Sequence, residues 1–279
     1  RTAAMVVQWM RVGFVHGVMN TDNMSVLGLT IDYGPYGWMD VYDEDWTPNT
    51  TDRTHRRYRY GAQPQIAAWN LARLAQALMP LVGHPEPFEE AIRSYGESYR
   101  NHHRQMFAQK LGLMNPEHGS VATDVDGLIQ ELLGILQSAE IDMTIFFREL
   151  SQWDPVQHTD VMSSPLKAAY YSPQSVEAGH LGLIDDWLKR YTAIIKTQNH
   201  SNHERAKMMN QVNPRFVLRN YLAQLVIDES SEGKHRLLHE ILEVLRHPYT
   251  EQPKYEHHAE KRPEWARHKP GCSMLSCSS

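Results

Sequence analysis

The chain has 279 residues, of which 41% are hydrophobic and 22% are charged, as in an ordinary globular protein. Its formal net charge of −5 excludes a broad electrostatic attraction to nucleic acid or to anionic membrane surfaces. No apolar run approaches the ~20 residues that a membrane helix needs, and two cysteines exclude a disulfide framework. We therefore expect a cytoplasmic protein of one large or two small domains, without a nucleic-acid or membrane partner.

The most informative segment follows an amphipathic run at the amino terminus. Residues 16–23 read HGVMNTDN, an apolar stretch comes next, and residues 32–34 read DYG. Met24–Ile31 is too short for a helix between these turns, so its composition predicts a short buried strand. A strand of this length would return Asp32 beside Asn23, which places a carboxylate and an amide oxygen on one face. Mg²⁺ prefers such hard oxygen ligands, with phosphate and water completing its shell.

This pattern is close to the catalytic turn of protein kinases, in which His-Arg-Asp-x-x-x-x-Asn precedes Asp-Phe-Gly. His16 and Asn23 keep the spacing of the kinase histidine and asparagine. Val18, however, stands where a kinase places its catalytic base, and valine cannot accept a proton. The nearest carboxylate is Asp22, so the residues indicate a kinase-like site with a displaced base. We expect His16 to order the turn rather than to contact substrate.

Residues 13–25 and 29–37 resemble the signature of the selenoprotein O family, kinase-fold pseudokinases that transfer AMP to protein hydroxyls. The resemblance continues through residues 63–64 and 69–71 to the Ser-Cys-Ser-Ser tail, over nearly the whole chain. It implies that Asp22 accepts the proton, that Asn23 and Asp32 bind the metal, and that Asp32 also lies against the nucleotide. The implied cofactors are ATP and Mg²⁺, with Mn²⁺ as an alternative, and the implied partners are proteins with a Ser, Thr or Tyr hydroxyl.

The predicted fold is mainly α with a small β-hairpin, which the resemblance assigns to the carboxyl lobe of a protein-kinase-like fold. We assign residues 1–247 to this lobe, with the catalytic turn at 16–34 and an activation-loop region at 35–63. Residues 248–279, with few apolar side chains, are predicted to form an extended tail. Apolar periodicity predicts helices at 66–78, 88–113, 125–137, 141–150, 176–196, 214–226 and 235–245.

No glycine-rich phosphate loop precedes the turn, and no lysine occurs before Lys110. A kinase-type site needs both to hold the nucleotide phosphates. We therefore expect this chain to be the carboxyl-terminal portion of a longer protein whose amino lobe is missing, and to have little activity alone.

Other functions stay open. A conventional metal-dependent phosphotransferase is one, and a non-catalytic pseudokinase that binds partners through its helical face is another. A redox module would use Cys272 and Cys277, through a bond between them or a mixed disulfide.

Two further clusters attract attention in the carboxyl-terminal half. His257-His258 lacks a third ligand at a typical zinc spacing, so we expect a surface or capping role. Arg215 and Arg219 lie one helical turn apart and either bind an anion or, as we expect, brace the lobe by ion pairing.

Overall fold

The computed structural model describes residues 1–113, 120–198 and 200–272. Within these ranges the protein is mainly helical, which confirms the predicted mainly α class, and it has one small antiparallel sheet of two short strands. The strands are β1 (Phe14–Val15) and β2 (Gly37–Trp38), and the helices are α1 (Thr2–Val12), α2 (Gln63–Val82), α3 (Glu86–Lys110), α4 (Ser120–Gln137), α5 (Met143–Leu150), α6 (Ala178–Lys196), α7 (Asn202–Val212), α8 (Asn220–Ser231) and α9 (Arg236–Arg246). None of the helices in the described ranges has the length and apolar character that a bilayer crossing requires.

The two strands enclose the segment that carries the candidate site. Phe14 lies opposite Trp38 and Val15 lies opposite Gly37, so residues 16–36 leave β1 and return through β2. The side-chain amide of Asn220 continues this ladder on the other edge of β2, because it accepts the Trp38 N–H at 3.1 Å and donates to the Trp38 carbonyl at 3.2 Å. The sheet thus fixes both ends of the 16–36 segment.

The predicted strand over Met24–Ile31 is wrong, because the structure has an irregular loop there. Gly28 adopts a φ of +73°, and its N–H donates to the Ser25 carbonyl at 3.2 Å, so a turn interrupts the apolar run. With β2 already paired to β1, this run has no neighbouring strand to extend against. Three of its apolar side chains are more than half exposed: Val26, Leu27 and Leu29.

The amino-terminal helix is largely buried. Seven of the 11 residues of α1 are buried, and the helix packs against α2 and α3. Lys110, the last residue of α3, donates from Nζ to the Arg11 carbonyl at 2.8 Å, and its ammonium lies 4.0 Å from the centroid of the Phe147 ring. Burial holds the pKa of Lys110 well below its ordinary value. This contact satisfies a carbonyl at the end of α1 that has no partner within the helix.

Residues 248–272 pack onto the helices, so the prediction of an extended tail does not hold for this part. They include two 3₁₀ helices, Pro253–Ala259 and Glu264–Ala266, and bury Ala266 and Cys272. The Lys261 ammonium also donates to the Tyr170 carbonyl. Burial raises the pKa of the Cys272 thiol, which disfavours the reactive thiolate. Cys277 lies outside the described residues, and with it the proposed bond to Cys272.

Candidate active site

The backbone of the 14–16 segment is held by one buried side chain, Gln63, at the start of α2. Its Oε1 accepts the His16 N–H at 3.0 Å, and its Nε2 donates to the Phe14 carbonyl at 3.0 Å. Gln63 is completely buried, so both hydrogen bonds are shielded from water. The entry to the turn is therefore fixed relative to α2.

Two more buried amides hold the next residues of the turn. Asn49 donates from Nδ2 to the Gly17 carbonyl at 3.1 Å, and Asn70 donates from Nδ2 to the Met19 carbonyl at 3.1 Å. Asn49 precedes a short 3₁₀ helix in the 35–63 region, whereas Asn70 lies on α2. The turn is thus fastened by three side chains that are distant in sequence.

The returning segment packs directly on the turn. Gly17 has a φ of +78°, and a Cβ there would lie 2.4 Å from the Pro35 carbonyl oxygen. A Cβ on Gly34 would lie 3.9 Å from a methyl of Val18. Only glycine at position 17 allows both the left-handed backbone and this close approach. Residues 34–35 therefore lie over residues 17–18.

His16 ties the turn to the residue before Asp32. The His16 ring is buried, with Nε2 2.8 Å from the Ile31 carbonyl, and Trp9 donates from its indole to Thr30 Oγ1 at 2.9 Å. Burial lowers the pKa of His16, partly offset by the Ile31 carbonyl and by the negative charge of Asp32. A neutral ring that donates from Nε2 fits this environment, in keeping with the ordering role expected for His16.

Asp22 and Asn23 lie side by side in a 3₁₀ turn, Thr21–Asn23. The Asp22 side chain is exposed and Asn23 is half-buried. Asn23 donates from Nδ2 to the Val18 carbonyl at 3.0 Å, which leaves its amide oxygen as the atom able to bind a cation. The turn therefore presents one carboxylate and one oriented amide oxygen next to each other.

Asp32 follows directly after the carbonyl that His16 holds. It is exposed and has a φ of +54°, a left-handed conformation that aspartate tolerates better than most residues. The Gly34 N–H donates to the Asp32 carbonyl at 2.8 Å, which closes a tight turn toward Val18. Asn23 and the Asp32–Gly34 turn thus both pack on Val18, through a loop instead of the predicted strand.

The donor set here suits a hard cation. The amide oxygen of Asn23 and the carboxylate of Asp32 are hard ligands, and neither belongs to the soft sulfur or imidazole type. Two protein oxygens leave most of an octahedral shell to phosphate and water, as Mg²⁺ requires. The residues present therefore fit Mg²⁺ or Mn²⁺.

The basic part of the 35–63 region is tied to the same turn. Asp52 is buried and accepts the N–H groups of Arg57 and Tyr58 at 2.9 and 2.7 Å. The Tyr58 hydroxyl donates to Asn20 Oδ1 at 2.5 Å, and the Arg57 guanidinium lies 4.7 Å from the centroid of the Trp69 ring. These hydrogen bonds fix residues 52–58 next to the turn. The exposed guanidinium of Arg57 packs against the Trp69 ring.

Beyond β2, the chain is anchored by a buried charge cluster. Arg219 donates to Asp40 at 2.7 Å and to both oxygens of Asp142 at 2.7 and 3.1 Å. Asp142 also caps α5 by accepting the Ile145 N–H at 3.0 Å. Burial raises the pKa of Asp40, an effect that the Arg219 charge opposes. Arg219 therefore braces three distant parts of the chain by ion pairing, the role expected for it.

Arg215 has the same kind of role. It pairs with Glu149 on α5 at 2.8 Å and with Glu256 in the carboxyl-terminal segment. These two ion pairs join α5 to that segment. The backbone N–H of Arg215 donates to the Pro248 carbonyl at 2.8 Å. Its positive charge is paired with carboxylates of the protein itself, in agreement with the expected bracing role of Arg215.

Comparison with known proteins places the chain in a family. The profile described as "Protein adenylyltransferase SelO" matches residues 1–246. Proteins named "Protein nucleotidyltransferase YdiU" from Rhodopirellula baltica, Aromatoleum aromaticum and Xanthomonas campestris pv. campestris are 52%, 51% and 50% identical to it. Each alignment covers 100% of this chain but 53%, 52% and 52% of the relative, so the chain spans about half the length of the curated relatives it matches. The chain therefore belongs to the SelO family of protein adenylyltransferases.

Proposed function

We propose that the longer protein containing this chain transfers AMP from ATP to Ser, Thr or Tyr hydroxyls of protein substrates. In this proposal the chain is the carboxyl lobe of a kinase-like fold, and an amino lobe supplies the remaining phosphate contacts. The observation that carries it is the rigid turn that presents Asp22 beside Asn23, packed against the segment that returns with Asp32.

Asn23 and Asp32 have the roles of metal ligands in this proposal. Their oxygens would hold Mg²⁺ or Mn²⁺, which when bound neutralises phosphate charge. The hydrogen bond from Asn23 Nδ2 to Val18 keeps the amide oxygen available. The exposed carboxylate of Asp32 also lies where a nucleotide phosphate can approach from solvent.

Asp22 has the role of proton acceptor. Val18 cannot serve, and His16 is buried with Nε2 engaged by the Ile31 carbonyl, so Asp22 is the base of the 16–23 turn. The substrate hydroxyl oxygen attacks the α-phosphorus, its proton passes to an Asp22 carboxylate oxygen, and the bond to pyrophosphate breaks. AMP ends on the substrate oxygen, and pyrophosphate leaves. The nucleotidyltransferase name of the relatives supports the α-phosphorus as the point of attack.

The test uses the complete protein with ATP labelled in either the α- or the γ-phosphate. We expect α-label, and no γ-label, to become covalently attached to protein. Asp22→Ala should lower transfer by about 10²- to 10⁴-fold, the usual range for loss of general-base catalysis, with nucleotide binding largely kept. Asp186→Asn is the matched control, because Asp186 is an exposed carboxylate on α6 paired with Lys189.

Incorporation of γ-label instead would overturn AMP transfer in favour of a conventional phosphotransferase. Absence of both labels from protein, with metal-dependent ATP binding retained, would favour a non-catalytic pseudokinase. Unchanged transfer in Asp22→Ala would show that another group accepts the proton.

A further inference from the structure

A second cluster of metal-binding groups lies in the carboxyl-terminal part of the chain. In the ranges that the structure describes, Glu240, His257 and His258 form the one group of three histidine, cysteine or acidic side chains that could hold an ion, with all ligand atoms within 4.8 Å of one another. Glu240 lies in the middle of α9, and the two histidines lie in the 3₁₀ helix Pro253–Ala259. None of these residues belongs to the candidate active site.

Two of the three separations within the cluster are close to those of a zinc site. Glu240 Oε1 lies 2.8 Å from His258 Nε2 and 3.7 Å from His257 Nε2. Ligand atoms on a tetrahedral ion with bonds of about 2.0–2.1 Å are about 3.3 Å apart. Shifts of about 0.5 Å in the two separations would therefore reach this geometry.

The arrangement of the three groups also suits a single cation. One oxygen of Glu240 is in contact with both rings, and the two imidazole centroids are 3.9 Å apart. The two rings and the carboxylate are therefore close enough to one another to share one ion.

The surroundings provide both support and access. Arg236 donates to the other oxygen of Glu240 at 3.2 Å, and the His258 ring stacks near Tyr255 with centroids 6.3 Å apart. Contacts of this kind hold metal-binding side chains in a fixed orientation. His258 is buried, whereas the His257 side chain is 57% exposed, so an ion can enter from solvent and keep a water as its fourth ligand.

We propose that Glu240, His257 and His258 form a Zn²⁺ site that fastens the 253–259 segment to α9. Two nitrogens and one carboxylate oxygen match zinc, whereas Mg²⁺ and Ca²⁺ prefer oxygen ligands alone. The site cross-links two segments that also share the apolar contacts of Phe216, Val244 and Ala259.

The test starts from the full chain, from which metal has been removed with a chelator. Zn²⁺ is then titrated in competition with a chromogenic chelator, and Co²⁺ is added in a separate titration as a spectroscopic probe. We expect one tight equivalent, a tetrahedral Co²⁺ spectrum and a higher melting temperature with Zn²⁺. Glu240→Gln and His257→Asn should each weaken binding by roughly 10- to 100-fold or more, since loss of a residue that only orients a metal ligand already costs that much.

His203→Asn is the matched control, because it removes a histidine that lies on α7, outside the cluster. His257→Asn changes an exposed side chain, so in the absence of metal this variant should melt at the same temperature as the unmodified protein. Equal melting curves would show that weaker binding comes from loss of a ligand and not from misfolding. Retention of the tight equivalent in both Glu240→Gln and His257→Asn would overturn the site. The proposal would also be overturned if the unmodified chain bound no tight equivalent of Zn²⁺.

Discussion

Individual histidines in this chain differ mainly in how far their rings are buried. His103 lies on α3 between Tyr99 and Phe107, with ring centroids 5.3 and 4.9 Å away. Burial lowers the pKa of His103 to about 4. Its neighbour His102 is exposed on the same helix, and its ring Nδ1 lies 2.7 Å from the Ser98 carbonyl. His103 therefore takes up a proton only at a more acidic pH than an ordinary histidine.

We predict that acidification from pH 7 to pH 5 destabilises the protein through His103. The unfolded state takes up a proton near pH 6.5 and the folded state near pH 4, so the stability present at neutral pH is lost as the pH falls between these values. The loss attributable to this residue is about 1–2 kcal/mol at pH 5.

The measurement is urea denaturation at both pH values for His103→Gln, with His102→Gln as the control. His103→Gln should reduce the pH dependence of the free energy of unfolding, and should reduce it more than His102→Gln does. Equal pH dependence in the two variants would contradict the role of burial.

At the scale of elements, the turn at residues 16–23 depends on side chains supplied by α2 and by the 35–63 region. Gln63 bonds to His16, 47 residues away in sequence, and Asn70 bonds to Met19, 51 residues away. These contacts replace the hydrogen bonds that a regular strand or helix would give to residues 16–20. The geometry of the site therefore depends on the position of α2.

Gln63→Ala should cost about 2–4 kcal/mol, because it leaves the His16 N–H and the Phe14 carbonyl buried without the partners seen here. Gln63→Glu keeps the acceptor for His16 but places a second acceptor against the Phe14 carbonyl, so it should also destabilise. Denaturation curves of both variants check this. Surface substitutions typically change the free energy of unfolding by less than about 0.5 kcal/mol. A change of that size in either variant would mean that the hydrogen bonds of Gln63 do not stabilise the turn.

The elements that sequence patterns predict well are those with a strong apolar period. The α6 and α9 helices lie close to their predicted ranges. In contrast, α7 was not predicted, because it buries only Arg205 and Met209 among the side chains of its 11 residues. The sequence feature that could have identified α7 is the capping box formed by Ser201 and Glu204, which is present in the structure.

Other errors came from tertiary context. The helix predicted from Pro214 begins at Asn220, because Arg219 and Asn220 are used to anchor β2 and the residues that follow it. The strand predicted at Met24–Ile31 fails at Gly28. At the site, motif spacing placed Asp22 and Asn23 in one turn, but no local pattern could identify Gln63, Asn49 and Asn70 as its supports. Their partners are 32–51 residues away.

At the scale of the whole molecule, one buried cation joins three distant segments. Arg219, before α8, pairs with Asp40 after β2 and with Asp142 at the start of α5. All three side chains are at most 5% exposed. Arg262, in the carboxyl-terminal segment, lies 3.8 Å from Asp40 and supplies a second positive charge. The cluster is therefore neutral as a unit and costly to break.

Arg219→Ala should lower the free energy of unfolding by about 3–5 kcal/mol, because it leaves two buried carboxylates without their main partner. Arg246→Ala is the control, since Arg246 makes an exposed pair with Glu243 worth less than about 1 kcal/mol. Chemical denaturation of both variants measures the difference. Similar stabilities would show that the buried cluster does not hold the lobe together.

The most direct test of the site is the metal concentration needed for half-maximal transfer by the complete protein. Asn23→Ala should raise the Mg²⁺ requirement by about tenfold or more, as expected for loss of a ligand. Asp22→Asn should leave that requirement unchanged and lower the maximal rate by about 10²- to 10⁴-fold. The opposite result, an unchanged Mg²⁺ requirement in Asn23→Ala together with a shifted one in Asp22→Asn, would contradict the assignment of ligand and base within this turn.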